Sequence, residues 1–342
     1  MLLALPPELV EHILRLALPE QTTRATYRTR QAMLRSCCLA SSSLRAVAQP
    51  MLEAFVFFQI DKHRQQYVKH HQGEKLGIRV LQLEARQRNQ PVLRLFSPFI
   101  TRCHALRHLS VSGVPEIDLK CLEDLPNLHS LRLASATSWV APCVLPRIVE
   151  LSYQCNAADP RTAHAIVASS TFPSLRLLCS NVVPCDSVLL KQLDGFAYLP
   201  NMPIPVQSLI EHIPASRILV PIHSSTSALN QELDYPGSPR FLVSTATANF
   251  EPVRRLSARL EAKSGLDLPL LLLPTAYRPD KVMQHPYNIR LPLVRLVQTC
   301  NDSQIPIAYE DLFVEGAESY ISPKFWRYAR EVKAKEEAEK QG

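Results

Sequence analysis

The residues of this chain that can carry acid–base or ligand chemistry are scattered, and few recur at a spacing that lets them act together. His108 and Glu150 are the titratable pair that would serve as a general acid and base if the fold placed both in one deep pocket. Cys103 adjoins His104, Cys37 adjoins Cys38 and His70 adjoins His71, yet none has a second half at metal-site spacing. The nine cysteines form no CxxC pair, and neither HExxH nor the strained GxSxG turn of a nucleophilic serine occurs. Phosphate-cradling loops need clustered glycines for close backbone approach, but the chain has only 8, the closest being Gly73 and Gly77. We therefore expect no catalytic residue, no cofactor and no metal.

Charge narrows the partners further. The net charge of +7 arises from basic residues spread among nearly as many acids, and no basic run is interleaved with aromatics, so nucleic acid is not expected. Met1 to Leu5 is apolar but lacks a basic flank and stops at Pro6, which argues against a signal peptide. The longest apolar run, near 268–273, is far short of the ~20 residues of a membrane span. The expected setting is a reducing compartment, cytoplasmic or nuclear, with the cysteines as thiols.

The elements that would position any site begin with helices. Pro6 and Pro7 suit a first helical turn, where a missing N–H has no partner to lose. Leu9, Ile13 and Leu16 then recur at i, i+4, i+7, and Val10, Leu14 and Ala17 repeat that spacing one residue later. A polar insert is expected from about Pro19 to Gln31, followed by helices from Ala32 to Ala40 and from Ser42 to about Leu52, the last capped by Ser41, Ser42 or Ser43. Three short helices make a small core, and such a module leans on a partner or a neighbouring domain.

Leu5-Pro6-Pro7-Glu8-Leu9 with Ile13-Leu14 resembles the LPxEL…IL opening of the F-box, and the stretch from Leu34 through Leu39, Leu44 and Val47 to Leu52 is similar to its second half, in the form common in fungal F-box proteins. The insert between the halves is longer than usual, and Leu44 stands where many members carry tryptophan. The resemblance implies binding to the Skp-type adaptor of a cullin-based ubiquitin ligase. By the same resemblance Leu5, Pro6, Leu9, Ile13, Leu14, Leu34, Cys38, Leu39 and Val47 supply the docking surface or its immediate support.

Downstream a repeat emerges. Ile78–Leu83, Leu106–Val111, Leu128–Leu133, Ile148–Tyr153 and Leu175–Ser180 fit or approach LxxLxL, and the steps between Leu109, Leu131, Leu151 and Leu178 fall within the ~20–29-residue window of leucine-rich repeats. Weaker runs at Ile218–Ile222, Phe241–Val243 and Leu270–Leu273 continue the step. Helical return segments are expected at Arg161–Ser169 and Pro205–His212, a late helix at Leu291–Thr299 and a closing strand at Ile305–Ala308. Residues alternating with the buried leucines would line one face of a parallel sheet: Gln82, Glu84, His108, Ser110, Ser112, Ser130, Arg132, Glu150, Ser152, Gln154, Cys179 and Asn181.

The expected fold class is thus α/β: a three-helix F-box over 1–58, then an irregular leucine-rich-repeat solenoid over 59–323, with parallel strands on the concave face and helices and loops on the convex face. A charged helical tail over 324–342 is expected to be frayed and solvated beyond an aromatic anchor at Phe325, Trp326 and Tyr328. The expected function is substrate recognition for an SCF-type ubiquitin ligase. Its partners are the Skp-type adaptor, the cullin scaffold and a target protein held on Gln82, Glu84, His108, Ser110, Ser130, Arg132, Glu150, Ser152, Gln154 and Asn181. A repeat scaffold acting outside any ligase is the alternative, and an enzyme built on His108 and Glu150 comes third.

Overall fold

The structure, a computed structural model, describes residues 5–18, 24–60, 76–85, 98–113, 116–134, 138–140, 143–154, 167–198, 212–213, 217–222, 242–245, 250–262, 270–309 and 323–341. The chain divides into two compact units, one carrying residues up to 166 and the other most of those from 175 onward.

The first unit opens with three helices, α1 (Pro7–Ala17), α2 (Arg24–Ala40) and α3 (Ser42–Ala54). α1 starts on the proline pair, and the Pro6 carbonyl accepts from the amides of Leu9 and Val10 at 3.0 and 3.1 Å. Ser41 caps α3, its Oγ accepting from the Leu44 amide at 3.1 Å. The expected polar insert to Gln31 is corrected: α2 begins at Arg24, so much of that segment is helix. Arg, Ala and Gln are good helix formers without an apolar stripe, and hydrophobic periodicity alone therefore misplaced the start. Leu18, Leu34, Cys38, Ala48 and Met51 form the buried core of the three helices, with Leu14, Cys37, Val47 and Leu52 packed against it.

α3 passes without a loop into strand β1 (Phe55–Ile60), a β-branched and aromatic run. β1 pairs in parallel with β2 (Val80–Ala85), and the Arg79 amide donates to the Ala54 carbonyl at 2.8 Å. The expected boundary at 58 falls inside this strand. β2 pairs with β3 (His108–Ser112); beyond β4 (Glu116–Asp118), β3 pairs with β5 (Ser130–Ala134); and beyond β6 (Ser138–Val140), β5 pairs with β7 (Glu150–Gln154). Every one of these pairings is parallel, and β4 pairs with β6 in a small parallel sheet of its own.

The register aligns the repeats. Leu81, Leu109, Leu131 and Leu151 are successive cross-strand partners, as are Leu83, Val111, Leu133 and Tyr153, and all eight are buried. Each fully buried leucine contributes roughly 1.5–3 kcal/mol through apolar area removed from water. The first leucine of each LxxLxL lies just before its strand: Leu106, Leu128 and Ile148 are buried in the preceding turns, behind Cys103, Leu125 and Leu145. Side chains tie successive turns together, Asn127 Nδ2 donating to the His104 carbonyl at 2.7 Å and Arg147 Nη1 to that of Leu125 at 3.4 Å.

The second unit holds β8 (Leu177–Ser180), α4 (Ser187–Gln192), β9 (Gly195–Tyr198), β10 (Ile218–Ile222), β11 (Leu242–Thr245), α5 (Phe250–Ala262), β12 (Leu271–Leu273), α6 (Tyr287–Asp302), β13 (Ile307–Tyr309) and α7 (Pro323–Gln341). Strands β8 to β13 pair each with the next, all parallel. A helix connects β11 to β12 and another β12 to β13, the crossover that parallel neighbours require, and these two helices, α5 and α6, contact each other. Asp186 caps α4: its Oδ1 accepts from the amides of Val188 and Leu189 at 2.9 and 3.0 Å, and its Oδ2 accepts from the amide and hydroxyl of Ser169, both at 2.7 Å.

The tail is helical as expected, but it is docked rather than merely solvated: Ala329 is fully buried, α7 contacts β9, and Lys333 Nζ pairs with Asp194 Oδ1 at 2.5 Å. Tyr328 is half-buried, whereas the side chains of Phe325 and Trp326 lie outside the described residues. Most of both expected return helices, 161–166 and 205–211, and the basic stretch with His70 and His71 also lie outside them. The protein is of mixed α/β class, with parallel strands throughout the described sheets.

Candidate functional site

Two surfaces carry the residues that the sequence singled out. The first is α1. Its two apolar rows separate by about 100°, so only one can face the helical core. Val10 is buried and Leu14 packs on the core cluster, whereas Leu5, Leu9, Ile13 and Leu16 point outward, Leu9 being 50% and Leu16 74% exposed. Leu39, next to the last residue of α2, is 80% exposed. Pro6 is exposed at the head of α1. Leu34 and Cys38 are instead buried and Val47 is half-buried on the same cluster, so these three support the surface without forming it.

The support is also polar. Arg45 Nε donates to the Cys38 carbonyl at 2.9 Å, bracing the α2–α3 turn. Burial raises the Cys38 thiol above its ordinary pKa, with Cys37 and Glu53 adding to the rise and Arg45 opposing it, so this sulfur is a packed thiol and not a thiolate nucleophile. On the outer side of α1 an i, i+4 pair joins Arg15 to Glu11 at 2.5 Å.

The second surface is the sheet face opposite the leucines. Register places Val80, His108, Ser130 and Glu150 in one cross-strand row, Gln82, Ser110, Arg132 and Ser152 in the next such row, and Glu84, Ser112, Ala134 and Gln154 in the third. The alternate residues assigned to one face stand in contiguous rows in the first unit, but His108, Ser130, Glu150 and Ser152 are buried there, and Gln82, Glu84, Ser110, Ser112, Arg132 and Gln154 are half-buried. Cys179 and Asn181 belong to the second unit, at and just beyond β8; both are buried.

His108 and Glu150 share a row but stand on β3 and β7, with Ser130 of β5 between them. Two strand spacings put their backbones about 10 Å apart, so direct proton transfer between them has no support in the register. His108 is 8% exposed, and neither ring nitrogen has a hydrogen-bond partner among the described residues. Its ring stands edge-on to that of His129, centroids 4.6 Å apart. Burial, with lesser contributions from His129 and Arg107, pushes its pKa down to about 3, and the imidazole is therefore neutral near pH 7. Ser152 Oγ is likewise buried with no hydrogen-bond partner among the described residues.

Among the described residues, no group of three or more His, Cys, Asp or Glu is arranged to hold a metal ion, and no helix is long and apolar enough to cross a membrane. No disulfide joins the described cysteines, and burial pushes Cys103 up to about 12 and Cys300 up to about 11. Sequence reasoning missed an outward group on and before α6, formed by Met283, Tyr287, Arg290 and Val294. Its signal was present as Tyr287, Arg290 and Val294 at i, i+3, i+7, opposite the buried Leu293, Leu296 and Cys300.

No protein-family model matches this chain, and no curated protein matches it.

Proposed function

We propose that the chain is a substrate-recognition adaptor of an SCF-type ubiquitin ligase, docking a Skp-type adaptor through its amino-terminal helices and presenting a target on the polar strand face. The observation that carries this reading is the outward row Leu5, Leu9, Ile13 and Leu16: the small helical module closes its core without these residues. Apolar side chains in such a row gain by burial against another polypeptide. The repeats at ~20–29-residue spacing and the parallel ladders they form support a leucine-rich-repeat solenoid in which the half-buried Gln82, Ser110, Arg132 and Gln154 receive the target. The protein's contribution to ubiquitin transfer is proximity, which supplies several kcal/mol without a reactive side chain of its own. This assignment places it in the cytoplasm or nucleus, with the cullin scaffold reached through the adaptor.

Purified full-length protein should capture a purified fungal Skp-type adaptor in a stoichiometric complex. Leu9→Asp combined with Ile13→Asp should reduce capture at least tenfold, the scale of losing central apolar anchors, while the thermal unfolding midpoint stays within a few degrees. Capture that survives the double substitution sinks the ligase reading.

A second reading has its own observation. α3 continues into β1, and β1 pairs with β2, as expected of a helical cap that shields the first strand of a repeat array. A scaffold of this kind would bind its target on the strand face and leave the Skp-type adaptor alone, so the same capture assay separates the two.

A further inference from the structure

The helix α6 is apolar on both sides. Leu293, Leu296 and Cys300 are buried, while almost opposite them Val294 is half-exposed, Tyr287 is 66% exposed and Met283, in the preceding turn, is 73% exposed. Between them Arg290 is held at two points, its guanidinium carbon 5.6 Å from the centroid of the Tyr287 ring and its Nη1 3.8 Å from the Met283 sulfur. This is an organised surface: a fixed cation inside an aromatic and thioether patch. Such side chains lose little freedom on binding, and Met, Tyr and Arg are the types enriched where binding energy concentrates.

The charge around it is one-sided. From Thr275 to the end of α6 the chain carries Arg278, Lys281, Arg290 and Arg295 against Asp280 and, at the far end of the helix, Asp302, and Arg278, Lys281 and Arg295 are all exposed. We infer that Met283, Tyr287, Arg290 and Val294 form a docking site for an acidic polypeptide segment that inserts an aliphatic or aromatic anchor. Its acidic residues answer Arg290 and the basic rim, and its anchor covers Met283 and Val294. A nucleic-acid strand fits less well, because Tyr287 is the single aromatic of the group and Met283 and Val294 offer no stacking plane. The site is built from residues of the second unit alone, with none from the helical module or the His108–Glu150 row, so it stands whether or not the chain serves a ligase.

The test pans a phage-displayed random dodecapeptide library on the immobilised full-length protein. The enriched peptide is then measured as a fluorescein-labelled synthetic probe by anisotropy. The expected result is enrichment of Asp or Glu beside Leu, Phe or Trp, with binding weakened at least about tenfold by Tyr287→Ala and by Met283→Ala, and several-fold by Arg290→Gln and by raised salt. Val294→Asp, on an outward side chain, reports in place of any variant that disturbs folding. The inference is overturned by absence of acidic enrichment or by peptide binding indifferent to all four substitutions. It is equally overturned if an oligouridine probe binds with the same dependence on Tyr287, or if sedimentation shows self-association that Val294→Asp abolishes, which would assign the patch to RNA or to a second copy of the chain.

Discussion

Lys333, near the end of the chain, places its ammonium 2.5 Å from the carboxylate of Asp194 at the entrance to β9, and both side chains are largely withdrawn from water. The backbone of Asp194 is held as well: its amide donates to the Arg176 carbonyl at 2.6 Å, and its carbonyl accepts at 3.3 Å from Nη1 of the buried Arg217, which also donates to the Leu193 carbonyl at 2.8 Å. A charged terminal helix is thereby fastened to a strand of the second unit.

Lys333→Ala should therefore lower the stability of that unit by roughly 1–2 kcal/mol, between the values typical of exposed pairs and of buried ones left half-empty. Urea unfolding followed by tryptophan fluorescence would measure it. A loss indistinguishable from that of Lys335→Ala, an exposed lysine on the same helix, would show that the pair adds nothing.

His108 gives the fold a dependence on acid. Its folded pKa, about 3, lies below the ~6.5 of an unfolded histidine, so between these values the unfolded chain binds the extra proton. Its contribution is complete above about pH 6.5 and is lost progressively as pH falls towards 3. Lowering pH from 6.5 to 5 should cost about 2 kcal/mol from this residue alone. The drop between those pH values should shrink in His108→Leu, and an unchanged drop would contradict the account.

Asp186 works in the opposite chemical sense. Burial pushes its carboxyl pKa up, but the Ser169 hydroxyl and amide and the amides of Leu189 and Val188 together outweigh that and hold it below the ordinary range. Asp186→Ala removes a helix cap and leaves several donors unpaired, so it should cost about 1–3 kcal/mol in chemical denaturation. Asp186→Asn should restore part of the loss. The stabilisation is present above the unfolded carboxyl pKa and fades as pH drops through the folded one.

The two sheet faces should respond unequally. Leu131→Ala opens a hole in a row of buried leucines and should cost about 2–5 kcal/mol. Ser110→Ala, on the polar face, should change stability by under ~0.5 kcal/mol. Equal losses at the two positions would argue that the faces are assigned the wrong way round.

The legible parts of the sequence were those with strong periodicity. LxxLxL located β2, β3, β5, β7 and β8, although the reading began each about two residues early, because the first leucine packs in the turn before the strand. β9 escaped because Phe196 comes only 18 positions after its partner Leu178, in a Gly-Phe-Ala-Tyr run without the motif. β1 escaped because it follows a helix with no turn residue between them. The outward row of α1 was visible as two interleaved spacings, whereas the Arg290 group depended on contacts between separate turns. The register that sets His108 and Glu150 two strands apart was likewise beyond a one-dimensional pattern.

The direct passage from α3 into β1 bears on how the protein can be dissected. A fragment ending at residue 58 would carry away most of β1 and leave β2 with a naked edge, its amides and carbonyls open to pairing with another chain. The amino-terminal helices and the first strands should then melt as one cooperative block, and a cut placed there would yield aggregate in place of two independent pieces.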